Sequence, residues 1–359
     1  MPKNKRVGHL LLEDGSVFEG YIFGFPTSIS GEVVFNTGMV GYPESLTDPS
    51  YRGQILTLTY PLIGNYGVPC PDGSQPLTKV FESDKVQIAG LIVSNLSSEY
   101  NHWNAAQSLD QWLHQHRVPG LSEIDTKALT KRLRNNGTMI GKIIAEAAEA
   151  NDVEFHDPNK DNLVSLVSVK KPIVYAGGEK RVVVIDCGCK NSIIRSLLAR
   201  GATVIRVPWD YDFLKEDLQG VVVSNGPGDP KMCLPTIAYV RKAMEKNYPI
   251  LGICLGHQIL SLAAGCNTYK LKFGHRSQNQ PCVEERSNRC YITSQNHGYA
   301  VDTRTLPNDW EIWFTNSNDG TNEGIRHQSR PFMSVQFHPE AMPGPVDANI
   351  LFNNFFEML

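Results

Sequence analysis

Absences narrow the class of this protein first. No apolar run approaches the roughly 20 residues that a membrane-spanning helix needs, and Gly90-Leu-Ile-Val93 is typical of the longest. Met1-Pro-Lys-Asn-Lys-Arg-Val7 is basic but lacks an apolar stretch of the kind that marks a secretory signal. An excess of one charge is missing too. Lys and Arg number 34 against 37 Asp and Glu, a net charge of −3, which gives no electrostatic reason to expect nucleic acid or a membrane surface as partner. The eight cysteines, at 70, 187, 189, 233, 254, 266, 282 and 290, are scattered. They read as free thiols of a reducing compartment, and a cytoplasmic protein is expected. Cys187-Gly-Cys189 has no second Cys or His pair at zinc spacing, so no metal is expected there and the two are read as strand-end residues. A Gly-x-x-x-x-Gly-Lys loop followed by Ser or Thr is absent, as is any fixed-period repeat.

What is present is an ordinary globular composition, 41% hydrophobic and 20% charged over 359 residues, enough for two domains with cores of their own. The first stretch is β-rich. His9–Phe23 holds two apolar runs about Asp14-Gly15, a hairpin signal. Further strand-like runs lie at Glu32–Phe35 and Gln54–Thr59, and helices are expected at Ala105–His116 and Thr126–Asn135, the second stopped by Gly137. Between about Ala145 and Lys180 the pattern loosens into polar and small residues. This divides the chain into a domain over 1–150, a linker over 151–180 and a domain over 181–359. In the last, strands (Arg181–Asp186, Thr203–Val207, Gly220–Ser224, Pro249–Ile253) alternate with helices (Ser192–Arg200, Thr236–Lys246). Such alternation predicts an α/β fold with a mainly parallel open sheet flanked by helices, behind a β-rich α+β domain.

The fourth of those strands runs straight into Gly252-Ile-Cys-Leu-Gly256, the thiol form of the nucleophile elbow. A sharp strand-to-helix turn exposes the side chain above the sheet, and the glycines let the backbone fold tightly about it. The following helix aims its free N–H groups at the sulfur and favours the thiolate, the reactive form. Cys254 is thus a candidate nucleophile, and the Leu255 N–H a candidate oxyanion donor. The competing assignment is a small buried hydrophobe, the commonest use of a free cysteine.

A nucleophilic cysteine needs a proton carrier and a group to orient it. Phe332–Glu340 is a β-type run ending in His338-Pro-Glu340. Pro339 holds His338 extended, and residues two apart then share a side, so His338 and Glu340 can face one pocket. Judged alone, the same residues fit a solvated corner; beside the elbow they fit a base and its orienter. His257 competes as base, but its place on the elbow helix points it away from the sulfur. Val221–Pro230 is a buried strand delivering Gly226-Pro-Gly228, a loop of bare N–H groups at the sheet edge where ligands of open α/β folds bind. Ser294–Tyr299 either offers hydrogen bonds to a small polar substrate or is an ordinary turn. The basic stretch Lys127–Arg134 is read as a solvated face or, second, a docking face.

Together these motifs resemble the class I (triad) glutamine amidotransferases. Ser224-Asn-Gly-Pro-Gly-Asp-Pro230, Gly252-Ile-Cys-Leu-Gly-His-Gln258 and Phe337-His-Pro-Glu340 follow that family's order. Lys272–Pro281, Ser294–Ala300, Gly31–Thr37, Gly41–Ser50 and Thr59–Asn65 are similar to its carbamoyl-phosphate synthetase branch, and Asn101–Ala105 and Trp112–His114 are closer to eukaryotic, often fused, members. The resemblance implies Cys254, His338 and Glu340 as catalytic triad. It implies glutamine contacts from Ser50, Gly226, Gly228, Leu255, Gln258, Asn296, Gly298 and Tyr299, the last often Phe in bacterial members. It implies L-glutamine as substrate and a carbamoyl-phosphate synthetase large subunit or fused synthetase domain as partner. No cofactor is expected in this chain, since ATP, Mg and bicarbonate would be used by that partner. Some relatives of this branch lack the cysteine; its presence here points to an active glutaminase. The alternatives are an amidotransferase serving another synthase and a non-hydrolysing regulatory module.

Overall fold

The computed structural model describes residues 6–71, 77–146 and 152–359. Part of the loosened stretch Ala145–Asn151 and the basic Met1–Lys5 lie outside these residues. Contacts divide the chain into two units, Met1–Asp161 and Asn162–Leu359.

In the first unit the strands Val7–Leu12 and Val17–Gly24 form the antiparallel hairpin expected about Asp14-Gly15. Gly15 takes φ 84°, a left-handed conformation that glycine enters at no steric cost. These two strands close a barrel with Met139–Ile144, Ile29–Asn36, Gln54–Leu58, Gly90–Ile92 and Pro119–Ser122. The core packs Val34, Leu46, Tyr51, Leu56, Leu91 and Trp112 away from water. The helix expected over Ala105–His116 is shorter. Ala105–Gln107 instead pairs with Val68–Pro69, and the helix runs Leu109–Gln115 behind Ser108. Ser108 and Gln111 bond reciprocally as a capping box, which fixes the helix start at Leu109, four residues later than apolar spacing suggests. The basic helix Thr126–Asn136 is capped by the Asp125 carboxylate, buries Leu129 and Leu133, and turns Lys127, Lys131 and Arg134 outward.

The second unit carries a ten-stranded sheet. Its parallel part consists of Ala202–Pro208, Lys180–Asp186, Gly220–Val223, Ile250–Ile253 and Phe332–Val335 in that spatial order. The expectation of a mainly parallel sheet holds for this half. The other strands are antiparallel, with Asn322–His327, Trp310–Asn316, Asn267–Glu284 and Cys290–Asp302 extending one edge. The run 151–180 is more than a linker: Leu163–Val167 is helical, and Ile173–Tyr175 pairs antiparallel with Ala202–Pro208. The valine-rich parallel strands are buried on both faces, as parallel strands between helix layers must be, and Val183, Val221, Ile250 and Phe332 share a core with Ile237, Val240 and Ile259 of the covering helices.

Candidate active site

The C-terminal ends of three neighbouring parallel strands converge on Cys254. Ile250–Ile253 lies between Gly220–Val223 and Phe332–Val335, with Gly252 opposite both Val223 and Ser334. The chain turns at Cys254 with φ 54° and ψ −104°, and the helix Leu255–Ala264 starts at once. A non-glycine residue held there is strained, at a cost of about 1–3 kcal/mol. The flanking glycines make the turn possible. A Cβ on Gly252 would lie 2.5 Å from the Gly256 carbonyl oxygen, and one on Gly256 would lie 2.0 Å from that of Val223. Only the smallest residue fits either place. The Cys254 N–H donates to the Val335 carbonyl at 2.9 Å, which ties the elbow to the next strand.

That strand continues through Gln336 to His338, whose N–H donates to the Ser294 carbonyl at 2.9 Å. His338 and Glu340 are both buried, and His338 Nδ1 meets Glu340 Oε1 at 2.6 Å. The other ring nitrogen, Nε2, is buried without a well-aligned hydrogen bond. Burial disfavours the imidazolium, but the Glu340 carboxylate and the nearby Cys254 sulfur outweigh it and raise the His338 pKa to about 10. Burial also opposes the Glu340 carboxylate, and Lys190 and His338 overcome it, holding the carboxyl down at about 2. Cys254 Sγ lies 3.6 Å from the Asn296 carbonyl oxygen, which accepts from it. The expected nucleophile, base and orienter are thus brought together in one buried cluster.

Lys190 is the participant that sequence reasoning passed over. Its ammonium is buried, 3.1 Å from Glu340 Oε1, and donates to the Ala341 carbonyl at 2.6 Å. The loop that delivers it is wound around Asp186, whose carboxylate accepts the N–H groups of Gly188 at 2.9 Å and Cys189 at 2.7 Å and pairs with Arg206 at 2.8 Å. Asn225 then takes the Lys190 N–H at 3.0 Å. The available signal was Cys187-Gly-Cys-Lys190 at the end of the first parallel strand, the edge where such folds place chemistry. Cys187 and Cys189 are buried free thiols at this strand end.

The remaining expected contacts fall into two groups. Gly226 and Gly228 form the loop after Gly220–Val223. A Cβ on Gly226 would stand 2.0 Å from the Cys187 carbonyl oxygen, and Gly228 takes φ 84°. Asn296, Gly298 and Tyr299 lie on Cys290–Asp302. Gln258 is buried on the elbow helix and donates its amide nitrogen to the Tyr299 carbonyl and to Gln336 Oε1, both at 2.9 Å. Ser50 belongs to the first unit, in the turn Pro49–Tyr51, where the Asp48 carboxylate accepts its N–H at 2.9 Å. His257 is fully buried against Ser334 Oγ at 2.9 Å, and burial drives its pKa down to about 3, as suits a packing residue.

A strained cysteine at the end of a parallel strand, beside a buried His–Glu pair on the next, defines the arrangement of an α/β cysteine acyl-transfer domain. Residues 183–358 match the family Glutamine amidotransferase class-I, and residues 10–143 match Carbamoyl-phosphate synthase small chain, CPSase domain. Multifunctional protein CAD of Squalus acanthias is 53% identical over 352 residues, covering 97% of this chain and 16% of that protein. Carbamoyl-phosphate synthase (ammonia), mitochondrial, of Homo sapiens is 48% identical over 359 residues, covering 99% of this chain and 24% of that protein. Multifunctional protein pyr-3 of Neurospora crassa is 47% identical over 382 residues, covering 97% and 21%. The chain belongs to the class I glutamine amidotransferases, in the branch that carries the carbamoyl-phosphate synthase small-chain domain. It spans less than a quarter of the length of these three relatives. Among the described residues no helix is long and apolar enough to cross a membrane.

Proposed function

We propose that this chain hydrolyses L-glutamine to glutamate and ammonia and supplies the ammonia to a carbamoyl-phosphate synthetase. The observation that carries the reading is the Cys254 elbow beside His338–Glu340 in a chain matching both the amidotransferase and small-chain families. The Cys254 sulfur attacks the side-chain carboxamide carbon while the Leu255 and Gly228 N–H groups hold the oxygen as it becomes negative. Loss of one such donor typically costs on the order of 10²–10³ in rate. His338, kept protonated by Glu340, gives its proton to the departing nitrogen, which leaves as ammonia. The γ-glutamyl thioester remains. His338 then takes a proton from water, the hydroxide adds to the thioester carbon, and the C–S bond breaks to give glutamate.

Gly226, Asn296, Gly298 and Tyr299 offer backbone and amide groups to the substrate, with Ser50 added by family resemblance. The Gln258 amide nitrogen is engaged with Tyr299 and Gln336, so a substrate contact from it would use the carbonyl oxygen. ATP, Mg and bicarbonate are assigned to the synthetase, as a separate large subunit or a fused domain, and the chain itself is assigned no cofactor. The eight cysteines are free, which supports a cytoplasmic location.

One human relative is named for ammonia; Cys254 supports the glutamine-using assignment for this chain. Glutamate release should be measured with and without a carbamoyl-phosphate synthetase, for wild type and Cys254→Ala. Release by wild type, stimulated by the synthetase and lost in the variant, is expected. No release in either wild-type condition would sink the enzymatic assignment, and stimulation only by a different synthase would sink the pathway.

A further inference from the structure

Behind the strand that lines Cys254 lies a second buried cluster that the hydrolysis does not use. His275, His297 and Glu323 come from three different strands, Asn267–Glu284, Cys290–Asp302 and Asn322–His327, and are 8%, 5% and 0% exposed. His275 and His297 are direct cross-strand partners, and the register slips on both sides of His275, between Lys270 and His275 and between Ser277 and Gln280. The sheet is deformed where the imidazole turns inward. One ligand atom from each residue lies within 4.8 Å of the others.

The hydrogen bonds leave two inward atoms open, His275 Nδ1 and Glu323 Oε2. His275 Nε2 meets the Asp319 carboxylate at 2.9 Å, while Nδ1 is buried without a hydrogen bond. Glu323 Oε1 accepts from Asn316 at 3.3 Å, while Oε2 is buried without a partner. His297 Nδ1 meets the Tyr299 carbonyl at 2.9 Å, while Nε2 meets Gln295 Oε1 at 3.1 Å and stands 3.8 Å from Glu323 Oε1, so an ion on Nε2 would displace the Gln295 contact. His275 thus gives its outward N–H to a carboxylate, and with an ion on Nε2 His297 would give its own to a backbone carbonyl. This outer arrangement fixes the tautomer of histidines that ligate metals. His275 Nδ1 stands 3.3 Å from Glu323 Oε1. In a tetrahedral zinc site with bonds near 2.0–2.1 Å, ligand atoms are about 3.3–3.4 Å apart. One edge of the triangle is therefore metal-sized, a second is 3.8 Å, and the third is at most 4.8 Å, so His297 would move inward on binding.

We propose that His275 Nδ1, His297 Nε2 and the Glu323 carboxylate bind one zinc-class divalent ion, oriented by Asp319 and the Tyr299 carbonyl. Two imidazoles and a carboxylate suit zinc better than magnesium or calcium, which favour all-oxygen sets. The ion clasps three strands, and His297 adjoins Asn296, whose carbonyl accepts from Cys254 Sγ. The rival occupant is a proton, shared by a charged His275 between Glu323 and Asp319. Burial works against that charge and the two carboxylates work for it.

The test uses the full chain, stripped with chelator, reloaded with zinc chloride or cobalt chloride and desalted. Elemental analysis should find about one retained equivalent, and cobalt should give the visible absorption of a tetrahedral site. Cys254→Ala should retain the ion, which separates this cluster from any metal captured by the elbow thiol. Glu323→Gln and His275→Gln should lose it. Asp319→Asn, at a partly exposed position, should keep a wild-type circular dichroism spectrum and bind zinc about 10–100-fold more weakly. Failure of wild type to retain metal, loss of the ion in Cys254→Ala, or unchanged affinity in Asp319→Asn would each overturn the site.

Discussion

Replacing Lys190 by Met removes a buried ammonium while keeping its stem, so the change isolates the charge. Lys190 Nζ stands 3.1 Å from Glu340 Oε1 and donates to the Ala341 carbonyl. Two unit charges at that separation attract by about 5 kcal/mol at an effective dielectric of about 20. Desolvation of both groups offsets much of this, but that cost is met in the wild type, and the variant leaves Glu340 buried without the stronger of the two cationic neighbours Lys190 and His338. Breaking a buried pair from one side typically costs about 3–5 kcal/mol. For a unit of this size each kcal/mol moves the melting temperature by about 2–4 °C, so a fall of about 6–20 °C is expected by calorimetry. The acid side should change as well. Glu340 is held at about 2 against an ordinary 4.5, so it stabilises fully above 4.5 and loses that contribution as pH falls toward 2. Without Lys190 the folded carboxyl titrates higher, and acid unfolding should begin at higher pH. The double variant Lys190→Met/Glu340→Gln should be more stable than Lys190→Met alone, because no buried charge is left unpaired. A single variant within about 0.5 kcal/mol of wild type, or a double variant whose losses simply add, would refute the reading of Lys190 as counter-ion.

Glu340→Gln should cut glutaminase turnover and lower the His338 pKa from about 10, since the carboxylate is the strongest group raising it against burial; an unmoved alkaline limb of kcat/KM would contradict this. In the wild type the same raised pKa predicts stability present below the ordinary 6.5 and lost as pH rises through about 10, measurable as denaturant midpoints across that range. Gly256→Ala should abolish glutamate release and unfold more readily, because its methyl would stand 2.0 Å from the Val223 carbonyl oxygen; wild-type activity would deny the tight elbow. Cys254→Gly should be more stable than Cys254→Ala by about 1 kcal/mol in urea titrations, as glycine accepts φ 54° without strain.

Much of the site could be read from the chain because its parts sit at element ends that short motifs mark. Gly252-x-Cys-x-Gly256 encodes a turn that only glycine allows, and His338-Pro-Glu340 encodes an extended pair facing one side. Lys190 escaped because its meaning is a distance across 150 residues of chain, to Glu340, and local spacing carries no such information. The His275–Glu323 cluster escaped for the same reason: its members are singletons in sequence, joined only by the bulged pairing of Asn267–Glu284 with Cys290–Asp302 and by Asn322–His327, one strand removed in the same sheet. In the first unit the hairpin was legible from Asp14-Gly15, whereas Ala105–Gln107 was absorbed into a helix because a three-residue strand has too few residues to display a period of two. The antiparallel extension was missed because its strands are long, polar and irregular, and their burial depends on neighbours rather than on alternation.

The backbone of Cys254 also bears on how such a chain would change over generations. Position 254 sits where durability and chemistry pull against each other: a glycine would relax the turn, and only the sulfur justifies holding it bent. A lineage fed with free ammonia would feel one of those pulls and not the other, and drift would carry the cysteine away while the sheet, the glycines and the buried His–Glu pair stayed behind. On the proposed function, the bent Cys254 is held for use, in the way a cocked spring is held for something to release it.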